Sequence, residues 1–422
     1  MTDRMILGQD AIYSTDPRQT GINNNAIIVG SSGAGKTMSF IEPRLLDTEK
    51  ASLVVTLTKR RLVQKYKTMF REKGYKVYDL DFVHPTSADV SYDPLAYVTN
   101  GSDVRFLADS IIKANPRKEH SHADPYWDES ASSLLCALIL YTLTMKENPT
   151  FADVLALKDR ITLKGGSDSD GYSLDDEFDT LEQKVPGHPA VTCWKTFRSA
   201  PPRTAGCIFS SLNTDLDAIF TPELRTMIAR NKTVDIERLS QEKSVLFITS
   251  SPVNPALHQF IGSFYACLFK QLFEFAEECP DGKLPIPVHV LCDDFATGCR
   301  VNQFEELISI FREKQISATI LVQSESQLES MYGAEAATTI INNSDTYVYV
   351  GGNDLQTARN ISYKLNLPLD EVLYMPIGEV VIFRRGQRPL IRSRYDILHD
   401  KRYQKVNRQY ERKLSKLKNR ES

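Results

Sequence analysis

A chain of 422 residues that is 41% hydrophobic and 25% charged is long enough for two or three domains, and two is the working expectation; its composition excludes a disordered or fibrous class. The formal charge of -3 leaves partners open, since a near-neutral protein can still carry a basic channel. The seven cysteines (Cys136, Cys193, Cys207, Cys267, Cys279, Cys292 and Cys299) form no Cys-x-x-Cys pair and several lie in apolar runs, which speaks for a reducing compartment and against a zinc site.

Met1 to Gln19 is polar and lacks a basic-then-apolar leader pattern. The longest apolar stretches, Leu134 to Leu143 and Phe260 to Phe269, fall short of the roughly 20 residues that cross a bilayer, so a cytoplasmic protein is expected. The short β-branched run Asn25-Ala26-Ile27-Ile28-Val29 then leads into Gly30-Ser31-Ser32-Gly33-Ala34-Gly35-Lys36-Thr37, and Met38 to Leu46 can begin a helix. Strand, glycine-rich loop and helix in that order make a phosphate-binding loop. Its glycines let consecutive N–H groups converge on phosphate oxygens, Lys36 supplies charge to the β- and γ-phosphates, and Thr37 offers a hydroxyl to Mg2+. ATP with Mg2+ is the expected cofactor pair.

Ser52 to Thr56 reads as a second strand, Arg60 to Lys73 as a basic amphipathic helix ended by Gly74, and Tyr75 to Leu80 as a third strand. That alternation predicts a parallel sheet covered by helices. From Val104 the pattern turns helical: Val104 to Ala114, Asp128 to Met145, Pro189 to Ser199 and Arg203 to Phe220, with a polar loop expected over Lys164 to Asp176. Strands resume at Val245 to Thr249, followed by a long helix from Leu257 to Glu278. The predicted organisation is therefore a nucleotide-binding domain in two parts, 1–103 and 232–400, an all-α domain over 104–231, and a basic tail over 401–422.

Val288-His289-Val290-Leu291-Cys292 is a buried-type strand that ends in Asp293 and Asp294. An apolar strand delivering two carboxylates to its C-terminal edge completes a phosphate-loop site: Asp293 would hold Mg2+ through a water and Asp294 would polarise the attacking water. Phe304 to Lys314 is an amphipathic helix, and Ala318 to Val322 is another buried strand, ending at Gln323. Gln323 is a candidate sensor that touches the γ-phosphate and reports hydrolysis, the alternative being a satisfied polar residue at a strand edge. Thr346 to Val350 adds a strand before the turn Gly351-Gly352-Asn353-Asp354, and Glu379 to Arg384 is expected to close the sheet. Lys401 to Arg420 is rich in Lys and Arg with Tyr403 and Tyr410 interleaved, a pattern shared by solvated termini and nucleic-acid-binding arms.

Taken together these segments resemble the coupling-protein ATPases of type IV secretion and conjugation, the VirD4/TraG group related to RecA-like DNA pumps. The resemblance runs over nearly the whole chain. It rests on the loop with Gly21 to Asn25 before it, Asp124-Pro125-Tyr126-Trp127-Asp128-Glu129-Ser130-Ala131, and Phe197-Arg198-Ser199-Ala200-Pro201-Pro202-Arg203-Thr204. It continues through Asp293-Asp294-Phe295-Ala296, Val322 to Leu328, and Ile340 to Thr346 with Gly351 to Asp354. It implies an α/β fold: a RecA-like nucleotide-binding domain with a mostly parallel sheet, interrupted by an all-α insertion and assembled as a hexamer with ATP between subunits. Its partners would be single-stranded DNA carrying its relaxase, relaxosome proteins and the secretion channel. Arg312, one helix beyond the acidic pair, is the position that most resembles the arginine supplied to a neighbouring subunit's site.

Three departures from the family pattern stand out. Asp293-Asp294 replaces the usual Asp-Glu, which draws one carboxylate back by about 1 Å and predicts slower hydrolysis. Leu57-Thr58-Lys59-Arg60-Arg61 replaces an acidic turn with a basic one. The loop begins within about thirty residues of Met1, leaving no room for the family's membrane hairpin, so a separate membrane-anchoring partner at the inner face of the membrane is expected. Two other readings share these residues: a nucleotide-gated docking receptor for relaxosome or effector proteins that barely hydrolyses ATP, and a partitioning translocase that prefers double-stranded DNA.

Overall fold

The structure is a computed structural model that describes residues 3–112, 126–162, 171–230, 232–251, 254–295 and 300–421. Of the expectations above, residues 124–125 and 296, Cys299, residues 113–114, and 164–170 of the polar loop lie outside the described residues.

The strands are β1 (Arg4–Gly8), β2 (Ala11–Ser14), β3 (Ala26–Val29), β4 (Ser52–Leu57), β5 (Lys76–Asp81), β6 (Ser244–Thr249), β7 (Val288–Cys292), β8 (Ile316–Val322), β9 (Thr346–Tyr349), β10 (Glu379–Arg384) and β11 (Leu390–Ser393). β1 and β2 pair as a hairpin, and the other nine form one sheet in the order β11-β10-β9-β3-β8-β7-β4-β6-β5. From β9 to β5 every neighbouring pair is parallel, whereas β10 pairs antiparallel with both β9 and β11. The central strands are apolar on both faces because helices cover both. Ile27 and Val29 of β3 enter one core, and Ala26 and Ile28 enter the other.

The helices used below are α1 (Glu42–Asp47), α2 (Arg60–Glu72), α3 (Gly101–Ile112), α4 (Tyr126–Met145), α5 (Phe151–Asp159), α6 (Asp175–Lys184), α7 (Pro189–Arg198), α8 (Pro202–Ile219), α9 (Pro222–Ile228), α10 (Pro255–Glu278), α11 (Phe304–Lys314), α12 (Glu325–Tyr332), α13 (Leu355–Leu365) and α14 (Lys401–Glu421). Helices α3 to α9 all fall between β5 and β6, and the chain enters and leaves this region through a parallel bridge between Ser91 and Thr233. Among the described residues its buried side chains are continuous with the core on that face of the sheet. Phe82 and Tyr92 on the entry side meet Phe260 and Phe264 of α10, and Phe220 at the end of α8 packs on Phe260 with ring centroids 5.2 Å apart.

Four local expectations change. The helix after the phosphate loop starts as a π-turn over Thr37–Ile41, with the Glu42 N–H bonded to Thr37 O, before α1 begins. Pro43 explains the shift, since it has no N–H to give to Ser39 O. Asp175 and Asp176 open α6 instead of ending a loop, in keeping with acidic residues at a helix N-terminus. β10 does not close the sheet, because β11 pairs along it. The basic tail is a helix folded back on α2: Lys65 lies 3.6 Å from the Tyr403 ring centroid, and the Tyr410 hydroxyl donates to Gln64. Both tyrosines therefore lie against α2.

Candidate functional site

β3 ends at Val29 and the loop turns over the C-terminal edge of the sheet between β9 and β8. The Gly30 N–H donates to Val322 O and the Ser31 N–H to Gly351 O at 3.0 Å, so both neighbouring strands hold the loop. Gly30 has to be glycine: a Cβ there would stand 2.9 Å from the Val350 Cβ. Gly33 and Gly35 take φ of 79° and 80°, the left-handed conformation that turns successive N–H groups to one side. Lys36 is buried and its Nζ donates to Gly30 O and to Ser31 O (3.1 Å). Burial holds its pKa below the usual lysine value, against the pull of Asp294 and Asp293 nearby.

β7 lies two strands from β3, with β8 between them, and brings Asp293 to the same edge. The Thr37 hydroxyl donates to Asp293 Oδ2 at 2.8 Å and lies 3.0 Å from Oδ1, joining residues 256 positions apart. The Asp293 carboxyl is pushed up to about 6, chiefly by desolvation and further by Asp294, while the Thr37 hydroxyl, Lys59 and Lys36 oppose the rise. A desolvated carboxylate beside a second carboxylate favours an added cation. Asp294 itself sits at φ 55°, a left-handed conformation that Asp tolerates better than most residues and that turns the chain sharply off the strand.

Gln323 follows β8, between the loop strand and the Asp293 strand, as the sequence predicts. Its N–H donates to Gln327 Oε1, and its side-chain amide has no hydrogen-bond partner among the described residues. Arg312 is elsewhere. It lies near the end of α11 on a cleft of about 850 Å³ that it shares with Arg18, Lys50, His289 and Ile316, at the edge where β7 and β8 begin. Within the chain the structure brings Lys36, Thr37, Asp293, Asp294 and Gln323 to one sheet edge and leaves Arg312 at the other.

Several segments behind the family resemblance are framework instead. Asn25 donates to Ile308 O and Asn343 O and accepts from the Ala318 N–H at 3.1 Å, while Asp345 accepts from the Asn23 N–H. These bonds lock the starts of β3, β8 and β9 together. Asp354 caps α13 by accepting from the Thr357 N–H and also takes the Ser326 hydroxyl. In the helical region Arg198 pairs with Asp175 at 2.9 Å, and Trp194 stacks on Phe178. The basic turn is partly neutralised, since Arg60 pairs with Asp79 and with Asp81. Lys59 is exposed and close enough to Asp293 to act on its charge.

Sequence reasoning missed Arg394. This residue follows β11, and its Nη1 donates to Ala34 O, across 360 residues of chain. No local pattern announces that contact; only β11 being an added strand beside β10 brings it there.

The residues fit a magnesium nucleotide. Among the described residues no group of three or more His, Cys, Asp or Glu side chains could hold a metal alone. A hydroxyl and one carboxylate beside a phosphate cradle, with water and phosphate oxygens completing the shell, is how Mg2+ is ordinarily bound. Among the described residues no helix is long and apolar enough to cross a membrane.

Comparison with solved structures gives the same architecture. The plasmid coupling protein TrwB in complex with the non-hydrolysable ATP analogue ADPNP aligns at a TM-score of 0.70 and 15% identity, covering 94% of this chain and 90% of that one. TrwB in complex with ADP and Mg2+ aligns at 0.58 and 15%, covering 87% and 93%. VirB4 of Thermoanaerobacter pseudethanolicus aligns at 0.55 and 12%, covering 94% and 96%. At these identities the likeness establishes the fold, a RecA-like α/β domain with a mostly parallel sheet. No curated protein matches the sequence. The family model for conjugative DNA transfer by the type IV secretory system does, over residues 2–366, and with its phosphate loop and acidic strand end in place the chain belongs to that family.

Proposed function

We propose that the chain is an ATP-binding and ATP-hydrolysing coupling protein that recruits relaxase-bound DNA and helps drive it to the secretion channel. The observation that carries the reading is the meeting of Thr37 and Asp293 beside the Lys36 loop. Thr37 and Asp293 would hold Mg2+, which neutralises phosphate charge. The N–H groups of Gly30 to Thr37 cradle the phosphates, and Lys36 moves from loop carbonyls to phosphate oxygens. Asp294 orients and polarises the attacking water, and the free amide of Gln323 senses the γ-phosphate.

Arg312 serves a neighbouring subunit's nucleotide in a hexamer. Its side chain is exposed and has no ion pair or hydrogen bond among the described residues, which leaves the guanidinium available to a neighbouring subunit. Residues 104–231 act as an all-α insertion that receives relaxosome proteins, and 1–103 with 232–400 as the motor. A separate membrane protein holds the assembly at the inner face of the membrane. The basic tail, 401–422, braces the motor.

A second reading, a docking receptor with negligible turnover, is favoured by the short side chain of Asp294 on its left-handed turn. Steady-state ATP hydrolysis at several protein concentrations, with single- or double-stranded DNA, separates the two. Stimulation by single-stranded DNA that steepens with protein concentration supports the coupling ATPase. Preference for double-stranded DNA points to a partitioning translocase. Tight ATP binding without turnover, with hydrolysis appearing in Asp294→Glu, makes the protein a receptor.

A further inference from the structure

We propose that Arg394 is a nucleotide-binding residue supplied in cis by the C-terminal arm, with its guanidinium taking the α- and β-phosphates; this rests on the nucleotide site proposed above. Arg394 lies beyond residue 366, where the family match ends. Its backbone is fixed because its N–H donates to Gly378 O at 2.6 Å, continuing the β10–β11 ladder by one rung. From there the side chain reaches the phosphate loop and Nη1 donates to Ala34 O.

The loop is shaped to admit it. A Cβ on Gly35 would stand 2.5 Å from Arg394 Nη1 and 3.0 Å from its Cζ, so the glycine that gives the loop its left-handed turn also makes room for the guanidinium. The arm that carries Arg394 is anchored on the elements flanking the loop. Arg402 and Arg4 both reach Asp47 Oδ1 at 2.8 Å, at the end of α1, and Ile397 and Val406 are buried in the core beneath that helix. This arginine is a fixed part of the sheet edge.

Its chemistry matches its place. A guanidinium has five N–H donors in a planar fork suited to phosphate oxygens; among the described residues its one side-chain hydrogen bond is to Ala34 O, and Asp396 acts on its charge. Arg394 is half-buried, which leaves its remaining donors open to a ligand. In the sheet order β10 and β11 lie on one side of the loop strand, whereas Asp293 arrives from β7 on the other. The Asp293 and Thr37 side belongs to the metal and the γ-phosphate. Arg394 therefore meets the nucleotide from the α- and β-phosphate side.

The test is equilibrium titration of the full chain with fluorescent ADP and a fluorescent non-hydrolysable ATP analogue. Arg394→Ala should weaken both nucleotides alike, by about tenfold for a half-exposed charge-assisted contact. Arg394→Lys should recover part of the loss, and Arg394→Gln, which is neutral and ends two bonds short of Nη1, should bind no better than Arg394→Ala. Unchanged affinity in Arg394→Gln overturns the proposal and makes the residue a latch for the arm; a loss confined to the ATP analogue overturns the assignment to the α- and β-phosphates. Lys36→Ala in the same titration keeps the two claims apart. If it binds as tightly as wild type the site itself is wrong, whereas loss in Lys36→Ala with none in Arg394→Ala removes this inference alone.

Discussion

The two ends of β3 carry polar residues of similar kind to opposite purposes. At its start Asn23 and Asn25 are bonded into Asn343, Asp345, Ile308 and Ala318, with the Asn25 amide using both its donor and acceptor sides on buried backbone. At its end the loop, Thr37, Asp293 and Gln323 converge, leaving a carboxyl pushed up to about 6 and an amide with no partner among the described residues. Completed hydrogen bonding makes a framework, and uncompleted bonding makes a site. Motifs from both ends carry the family resemblance, so a motif alone does not say which it is.

The largest test of that contrast is Asp293→Asn, which should lower Mg2+-dependent hydrolysis by about 10²–10³-fold, the scale of losing one main electrostatic group at a reacting phosphate. Its stability should move the other way. The folded carboxyl is raised to about 6 from an ordinary 3.8, so the folded state binds the proton more tightly and loses stability as pH rises through that interval. Asn removes the buried charge and should raise stability at pH 7 by roughly 1–3 kcal/mol in urea unfolding, flattening this part of the pH dependence. A less stable Asp293→Asn protein would mean that the carboxylate is framework.

Asn25→Ala should show the opposite signature. It strands buried backbone groups and should cost about 2–4 kcal/mol in the same unfolding experiment, while the folded fraction binds nucleotide with wild-type affinity. A loss of affinity without a loss of stability would erase the distinction between the two ends of the strand.

Asp93 sharpens the comparison with a smaller effect. It accepts the N–H groups of Leu95 and Phe151 where the chain enters the helical region, and burial raises its carboxyl to about 6 as well. A raised pKa by itself therefore marks no site. Asp93→Asn keeps an acceptor, so it should gain roughly 1–2 kcal/mol near pH 7, with the difference from wild type shrinking as pH falls below about 6, and leave hydrolysis unchanged. Altered turnover would connect the helical region's entry to the chemistry.

What the sequence made legible follows from how far each signal reaches along the chain. The loop was readable because strand, glycines, Lys36 and Thr37 are contiguous, and Asp293 and Gln323 because each ends an apolar run. α11 was predicted over its observed span, since an amphipathic helix declares itself within eleven residues. The β1–β2 hairpin and β11 went unread, being four or five residues long without alternation: β1 is buried throughout after Arg4, and β2 and β11 are mostly half-exposed or exposed. Arg394 was out of reach for a different reason: its meaning depends on strand order, which no local period encodes. The tail's composition left both a solvated terminus and a binding arm open, and the fold places Tyr403 and Tyr410 against α2.

The measurement that bears most directly on the central claim is calorimetric titration of the full chain with a non-hydrolysable ATP analogue, with and without Mg2+, in wild type and Asp293→Asn. The account predicts that Mg2+ tightens binding to the wild type and that Asp293→Asn keeps metal-free binding but loses the Mg2+ increment. An increment of equal size in both proteins would contradict it, because the junction of Thr37 and Asp293 would then not be where the metal is held.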